Sequence, residues 1–216
     1  MSERIIDGLN GVEESECFWY DEPGFYIVVL TFFCKVIFQE DECMKYMVVY
    51  SSRTGNTKKV AEAIVSALPE GTPCVAVAEA PADLSAYDCV FAGFWVDKGT
   101  ADEEAKKVLE ALTAKKVAIF ATLGADPTSE HAHKCLASAT ELVPAHTEVV
   151  DSFICQGAVD PKLIEMMYKR FPANSPHGKN PESEARHAEA AKHPDEADLV
   201  AARAFAVRVT KKVSEA

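Results

Sequence analysis

From residue 44 onward, short apolar runs alternate with longer amphipathic runs, and this alternation is the strongest constraint on the fold. Short apolar runs are typical of buried strands, and amphipathic runs between them are typical of crossover helices. Five strands are predicted, at residues 45–50, 74–78, 88–94, 116–122 and 147–155. The pattern therefore predicts an α/β protein whose parallel sheet is covered by helices on both faces.

The spacing of apolar and capping residues predicts the helices. After the first strand, apolar residues recur at helical spacing from Val60 to Leu68. Thr100 and Glu103 have the spacing of a capping box, which predicts the start of a second helix. The last helix is predicted to follow "HPDEADL", with Pro194 in its first turn. Two further helices are predicted at residues 129–142 and 182–191.

The loop after the first strand, residues 51–57, is rich in hydroxyl side chains and contains a glycine. Backbone N–H groups at a helix N-terminus, together with hydroxyls, form a binding site for phosphate. The loop lacks the GxxxxGK(S/T) pattern of triphosphate sites and the GxGxxG pattern of dinucleotide sites. We interpret it as a site for a terminal phosphate monoester, with a simple helix-capping turn as the alternative. The candidate binding residues are Ser52, Arg53, Thr54, Gly55, Asn56 and Thr57.

At these residues the sequence resembles the short-chain flavodoxins, whose phosphate loop has the form Ser/Thr-x-Thr-Gly-x-Thr. Ser52, Thr54, Gly55 and Thr57 match the fixed places, and Arg53 stands at a variable one. The resemblance extends over residues 44–213. It implies a flavodoxin-like three-layer α/β/α sandwich with a five-stranded parallel sheet of order 2-1-3-4-5. It also implies FMN as the cofactor, bound at the switch point between strands 1 and 3.

The resemblance further implies that two other loops reach the flavin ring. Gly93 and Phe94 end the third strand, and Trp95, directly after the strand end, is expected to stack on the ring. Gly124 and Ala125 follow the fourth strand and are expected to approach the ring edge.

Two features depart from the flavodoxin pattern. The loop after the fourth strand contains no aromatic residue, and Val96 rather than glycine follows Trp95. Because a β-branched residue resists a positive φ, we expect the peptide beside Trp95 to resist a flip when the flavin is reduced.

Residues 1–43 differ from the remainder of the chain. They hold ten carboxylates and two basic residues, and so contribute −8 of the formal net charge of −12. Their one apolar run, residues 25–38, is short for a membrane-spanning helix and contains Lys35. We expect residues 1–43 to be an N-terminal extension, either disordered or a mis-assigned start with translation beginning at Met44. Residues 44–216 are expected to form the flavodoxin-like domain.

Several other residue patterns argue against alternative functions. No basic stripe suitable for a nucleic-acid backbone is visible. The seven cysteines are widely spaced and odd in number, which is typical of reduced thiols in a cytoplasmic protein. His131 and Cys135 would share a helix face without further ligands nearby, and Cys155 lies in an apolar strand. Neither a metal site nor a nucleophile is therefore predicted.

The resemblance implies an FMN-binding electron-transfer protein that shuttles electrons between a reductase and an acceptor enzyme, without a catalytic residue of its own. Carboxylates around the expected flavin rim would either guide basic partners or simply form a solvated face. These are Asp97, Asp102, Glu103, Glu104, Asp126 and Glu130. Two alternatives stay open: an FMN-dependent NAD(P)H:quinone-type oxidoreductase, and a cofactor-free interaction module on the same fold.

Overall fold

The computed structural model describes residues 44–215, so the hypotheses about residues 1–43 lie outside the described range. Within this range the strands are β1 (Tyr46–Tyr50), β2 (Cys74–Ala76), β3 (Cys89–Asp97), β4 (Thr100–Ala101), β5 (Lys116–Leu123) and β6 (Glu148–Gln156). Five of them are parallel, in the order β2-β1-β3-β5-β6. The predicted order 2-1-3-4-5 is confirmed, with β4 as an additional side strand that pairs with β3.

Helices cover both faces of the sheet and bury its apolar side chains. They are α1 (Asn56–Val65), α2 (Glu103–Glu110), α3 (Glu130–Thr140), α4 (Pro161–Arg170), α5 (Pro181–Ala190) and α6 (Glu196–Ser214). On one face α1 and α6 pack against the sheet, and the rings of Phe91 and Phe205 meet edge to face at 5.9 Å. On the other face α2 and α3 cover Phe94 and Ile119. The predicted three-layer sandwich is therefore confirmed.

Strand β3 runs three residues beyond its predicted end because it forms a hairpin with β4. Val96 pairs with Ala101 and Asp97 with Thr100. The two turn residues between them, Lys98 and Gly99, have positive φ values of 50° and 84°, as the tightest hairpin turns require.

The predicted capping box of Thr100 and Glu103 is wrong, because Thr100 is part of β4. Asp102 caps α2 instead, and its carboxylate accepts hydrogen bonds from the N–H groups of Glu104 and Ala105. Strand pairing has therefore overridden a local capping signal.

The connection from β6 to α6 contains two helices, of which only α5 is predicted by the sequence. Helix α4 begins at Pro161 and has Asp160 as its N-cap. The hydroxyl of Tyr168 on α4 lies 2.9 Å from Nδ1 of His187 on α5, which joins the two helices. Within residues 44–215, no helix has both the length and the apolar character that crossing a bilayer requires.

The start of α6 also differs from its predicted position. Asp195 is the N-cap and forms a capping box with Asp198, so Pro194 precedes the first turn instead of lying in it.

His193, just before α6, predicts a pH dependence of stability. Its Nδ1 lies 2.5 Å from a carboxylate oxygen of Asp198, and this hydrogen bond, aided by the charges of Asp195 and Glu189, raises the pKa of His193. Because the pKa of His193 is higher in the folded than in the unfolded protein, protonated His193 stabilises the fold. This stabilisation is complete below about pH 6.5, the usual pKa of histidine. This contribution is lost as the pH rises through the folded-state value. Urea unfolding should therefore show a larger destabilisation by His193→Gln at pH 5.5 than at pH 8.5. An equal effect at both pH values would contradict this assignment.

Candidate functional site

A cleft that is partly open to solvent lies at the carboxyl ends of the parallel strands. It is formed where the ends of β3 and β5 meet the loops after β1, β5 and β6. We call it the carboxyl-edge cleft. Its lining residues are Arg53, Thr54, Asn56, Trp95, Val96, Thr122, Leu123, Gly124, Gly157, Ala158, Val159, Asp160 and Leu163.

The phosphate loop turns directly from β1 into α1. The N–H of Ser51 donates to the carbonyl of Gly93 at 2.8 Å, which fixes the start of the loop at the strand end. Gly55 is the N-cap of α1 with φ 86°, a left-handed conformation that glycine adopts without strain. Gly55 has no side chain to cap the helix, and the Ser52 hydroxyl caps the N–H of Lys58, the third residue of α1. Among the described residues, the N–H groups of Asn56 and Thr57 have no acceptor, so a phosphate could accept from both.

The hydroxyl groups of the loop differ in whether their protons are available to a ligand. The hydroxyl of Ser52 accepts from the N–H of Lys58 at 3.3 Å, which leaves its own proton available for a ligand. Thr57 and Thr122 share a buried hydroxyl–hydroxyl hydrogen bond of 2.9 Å, so one of these two protons is also available. Thr54 accepts from the side-chain amide of Asn56 at 2.9 Å. Ser52 and Thr57 are therefore the loop side chains best placed to donate to a phosphate.

Two hydrogen bonds hold the loop in position. The hydroxyl of Ser51 donates to the buried carboxylate of Asp102 at 2.8 Å. The amide of Asn56 donates to the carbonyl of Ala158 at 2.9 Å. A Cβ on Gly157 would lie 3.2 Å from the side chain of Asn56, so the absence of a side chain there allows this close approach. The phosphate loop is thus fixed to the segment that follows β6.

Trp95 lies in β3, paired with Thr122 of β5, and its ring lines the cleft. It is partly buried, so one portion of the indole is available to a ligand. The guanidinium carbon of Arg53 lies 5.5 Å from the ring centroid. The sequence prediction that Trp95 follows the strand end is wrong, because the hairpin extends β3, but the ring nevertheless reaches the predicted edge.

The other residues predicted to contact the flavin ring differ in whether they line the cleft. Gly124 lines the cleft, and a Cβ there would lie 2.2 Å from Val159. Ala125 is partly exposed beyond it. Gly93 and Phe94 are buried in β3 and do not line the cleft. A Cβ on Gly93 would lie 2.0 Å from the ring of Phe120, so this glycine is explained by core packing.

The segment after β6 is the portion of the site that the sequence predictions missed. Residues 157–160 and Leu163 form the wall of the cleft nearest α4. Because the carboxyl ends of parallel strands share one edge, the loop after the fifth predicted strand had to reach the same site. The signal was "GAVDP", a glycine followed by the Asp-Pro start of a helix.

The residues expected to be inert do not line the cleft. Cys155 is buried, and burial raises the pKa of its thiol above the ordinary value, which disfavours the nucleophilic thiolate. The Cys135 sulfur lies 3.6 Å from Nε2 of His131 on the same face of α3. None of the six carboxylates expected at the flavin rim lines the cleft, and Asp102 is buried. The expectation of an acidic rim is therefore not met at the lining of the cleft.

The donor set fits a phosphate monoester joined to a planar ring. Asn56, whose N–H is free, and the indole of Trp95 both line the cleft, whereas Ser52, Gly55 and Thr57 belong to the same loop but are not among the lining residues. Because Gly124 has no side chain, its backbone forms this part of the cleft wall, beside Val159.

Comparison with known proteins identifies the family of the chain. A family model described as flavodoxin domain matches residues 47–207, which include every residue that lines the cleft. A protein of Clostridioides difficile (strain CD3), the flavodoxin-like domain-containing protein BilS, is 37% identical over 175 residues, covering 79% of this chain and 99% of that protein. The protein of the same description from Clostridium symbiosum (strain WAL-14163) is 29% identical over 180 residues, covering 76% and 95%. A flavoprotein from Lactobacillus acidophilus, crystallised in complex with FMN, is 18% identical with a TM-score of 0.42, covering 51% of this chain and 93% of that chain.

Proposed function

The chain belongs to the flavodoxin domain family, and from this premise we propose that it carries electrons between a reductase and an acceptor enzyme. FMN is the cofactor of this fold. The observation that carries the proposal is the N-terminus of α1: within the described residues the N–H groups of Asn56 and Thr57 have no acceptor, and Asn56 lines the same cleft as the indole of Trp95. A phosphate monoester would satisfy those donors, and Trp95 would be available to the attached ring.

The residues of this chain would hold FMN at two places. The N–H groups of Asn56 and Thr57 and the hydroxyls of Ser52 and Thr57 would donate to the phosphate, helped by the positive end of α1. Trp95 would pack against the ring and exclude water from it. Bound FMN supplies the chemistry, because its ring accepts and releases electrons.

The composition of the cleft favours a carrier over an enzyme that needs acid or base catalysis. Among its lining residues, Arg53 and Asp160 are the only ionisable side chains. They form an ion pair with 3.0 Å between Nε and Oδ2, so neither is poised to exchange a proton. Electron transfer through the flavin requires neither an acid nor a base from the protein.

The test is anaerobic reduction of the FMN-loaded full chain, followed by flavin absorbance. NADH or NADPH alone should leave the flavin oxidised, and a catalytic amount of a flavodoxin reductase should bleach it. Rapid NAD(P)H consumption with a quinone and no reductase would instead identify an oxidoreductase. A colourless protein that takes up no added FMN would identify an interaction module.

Replacement of Trp95 tests the proposed ring contact. Trp95→Leu should weaken FMN binding by about tenfold, because an aromatic stacking contact contributes roughly 0.5–1.5 kcal/mol beyond its buried area. Trp95→Phe, the matched control, should lose less because it keeps an aromatic face. Fluorescence titration with FMN measures both, and equal affinities for all three proteins would place the ring elsewhere.

A further inference from the structure

Arg53 is the one side chain that links three parts of the carboxyl-edge cleft. It comes from the phosphate loop, its Nε donates to Oδ2 of Asp160 at 3.0 Å, and its guanidinium lies over the Trp95 ring at 5.5 Å. Its guanidinium is therefore held by Asp160 and Trp95, the two partners that the structure gives it within the described residues.

Asp160 holds the guanidinium in this position. As the N-cap of α4, it uses Oδ1 to accept from the N–H of Lys162 at 2.9 Å and leaves Oδ2 for Arg53. The Lys162 N–H, together with Arg53, lowers the pKa of Asp160 below its ordinary value. The carboxylate is therefore ionised at neutral pH, and its orientation is set by helix capping.

The Asp160 carboxylate and the Arg53 guanidinium contribute unequally to the electrostatic potential in the cleft. The carboxylate is stabilised at the N-terminus of α4, where the helix dipole is positive. The guanidinium projects over the indole against which the flavin ring would pack. No other cationic side chain is among the residues that line the cleft. Arg53 is thus the source of positive charge at the ring site.

We propose that Arg53, positioned by Asp160, sets the reduction potential of the bound flavin by favouring its reduced, negatively charged form. This inference rests on the proposed function. Oxidised FMN takes up two electrons from the reductase and one proton from solvent, and the ring then carries one additional negative charge. A cation close to the ring favours that charged form. Trp95 acts in the opposite sense, because its π-face disfavours added negative charge.

The experiment compares the reduction potential of bound FMN in the full chain with that in Arg53→Gln and Arg53→Lys. Arg53→Gln should make the potential more negative, with reduced FMN bound about tenfold more weakly relative to oxidised FMN. For a two-electron couple, this ratio corresponds to about 30 mV. Arg53→Lys keeps the charge and should shift less. An unchanged potential in Arg53→Gln, with FMN still bound, would overturn the inference.

Asp160→Asn separates positioning from charge. Asparagine also caps helices, so α4 should be retained. If Asp160 acts by holding Arg53, its loss should shift the potential in the same negative direction as Arg53→Gln. If it acts only as a negative charge, the potential should rise, and the positioning role would be rejected. Failure of the unaltered chain to bind FMN would overturn the proposed function together with this inference, which is a different outcome from FMN binding without a shift.

Discussion

Simultaneous replacement of Ser52 and Thr57 by alanine is expected to weaken FMN binding at least about 100-fold. Each hydroxyl can donate a hydrogen bond to an anionic phosphate, and a hydrogen bond to a charged group contributes about 1.5–3 kcal/mol. Two such losses amount to about 3 kcal/mol or more, which corresponds to two powers of ten in affinity. Isothermal titration of the cofactor-free variant with FMN measures the loss.

The matched control for this pair is Ser52→Thr with Thr57→Ser, which keeps both hydroxyls. Thr57 also bonds to Thr122, so the alanine variant leaves a buried hydroxyl unpaired, whereas the control does not. Riboflavin provides the second control, since it lacks the phosphate. The alanine variant should bind riboflavin as the unaltered chain does. A parallel loss of riboflavin affinity would mean that the substitutions had damaged the ring site or the fold.

Gly93→Ala is expected to destabilise the protein by about 1–3 kcal/mol. The added Cβ would lie 2.0 Å from the ring of Phe120, a side chain that is fully buried at the centre of the sheet. Because the ring cannot move into solvent, the strands or neighbouring side chains have to shift. Urea unfolding, monitored by far-ultraviolet circular dichroism, measures the change in free energy.

Phe120→Leu supplies the background that tests this explanation. A smaller side chain makes room for the new methyl group, so Gly93→Ala should cost less in that background than in the unaltered chain. The difference between the two effects is the interaction energy of the pair. If Gly93→Ala costs the same in both backgrounds, the close approach to Phe120 is not the reason for glycine at this position.

The parallel sheet could be predicted from the sequence because its central strands are buried on both faces. Residues 48–50 of β1 and 91–94 of β3 are therefore continuous apolar runs in the sequence. The β3–β4 hairpin could not be predicted in this way. Its turn is Lys98-Gly99, which lacks the Asn-Gly or Asp-Gly signal, and its two-residue partner strand resembles a helix cap.

The loop that we propose to bind phosphate could be recognised in the sequence because all of its residues are consecutive. The contacts that complete the cleft connect distant residues, which periodicity and motifs do not relate to one another. Arg53 and Asp160 are separated by 107 positions, and Asn56 and Ala158 by 102. Helix α4, which was not predicted, contains no fully buried residue. The part of the site that consists of consecutive residues could therefore be predicted from the sequence, whereas the contacts between distant residues could not.

The central claim is that the loop after β1 binds the phosphate of FMN through Ser52, Asn56 and Thr57. The most direct measurement is calorimetric titration of the cofactor-free full chain with FMN and, in parallel, with riboflavin. We predict that FMN binds at least about 100-fold more tightly than riboflavin, because the phosphate adds charge-assisted hydrogen bonds worth about 3 kcal/mol or more in total. Equal affinities for the two flavins, or no binding of FMN, would contradict the account.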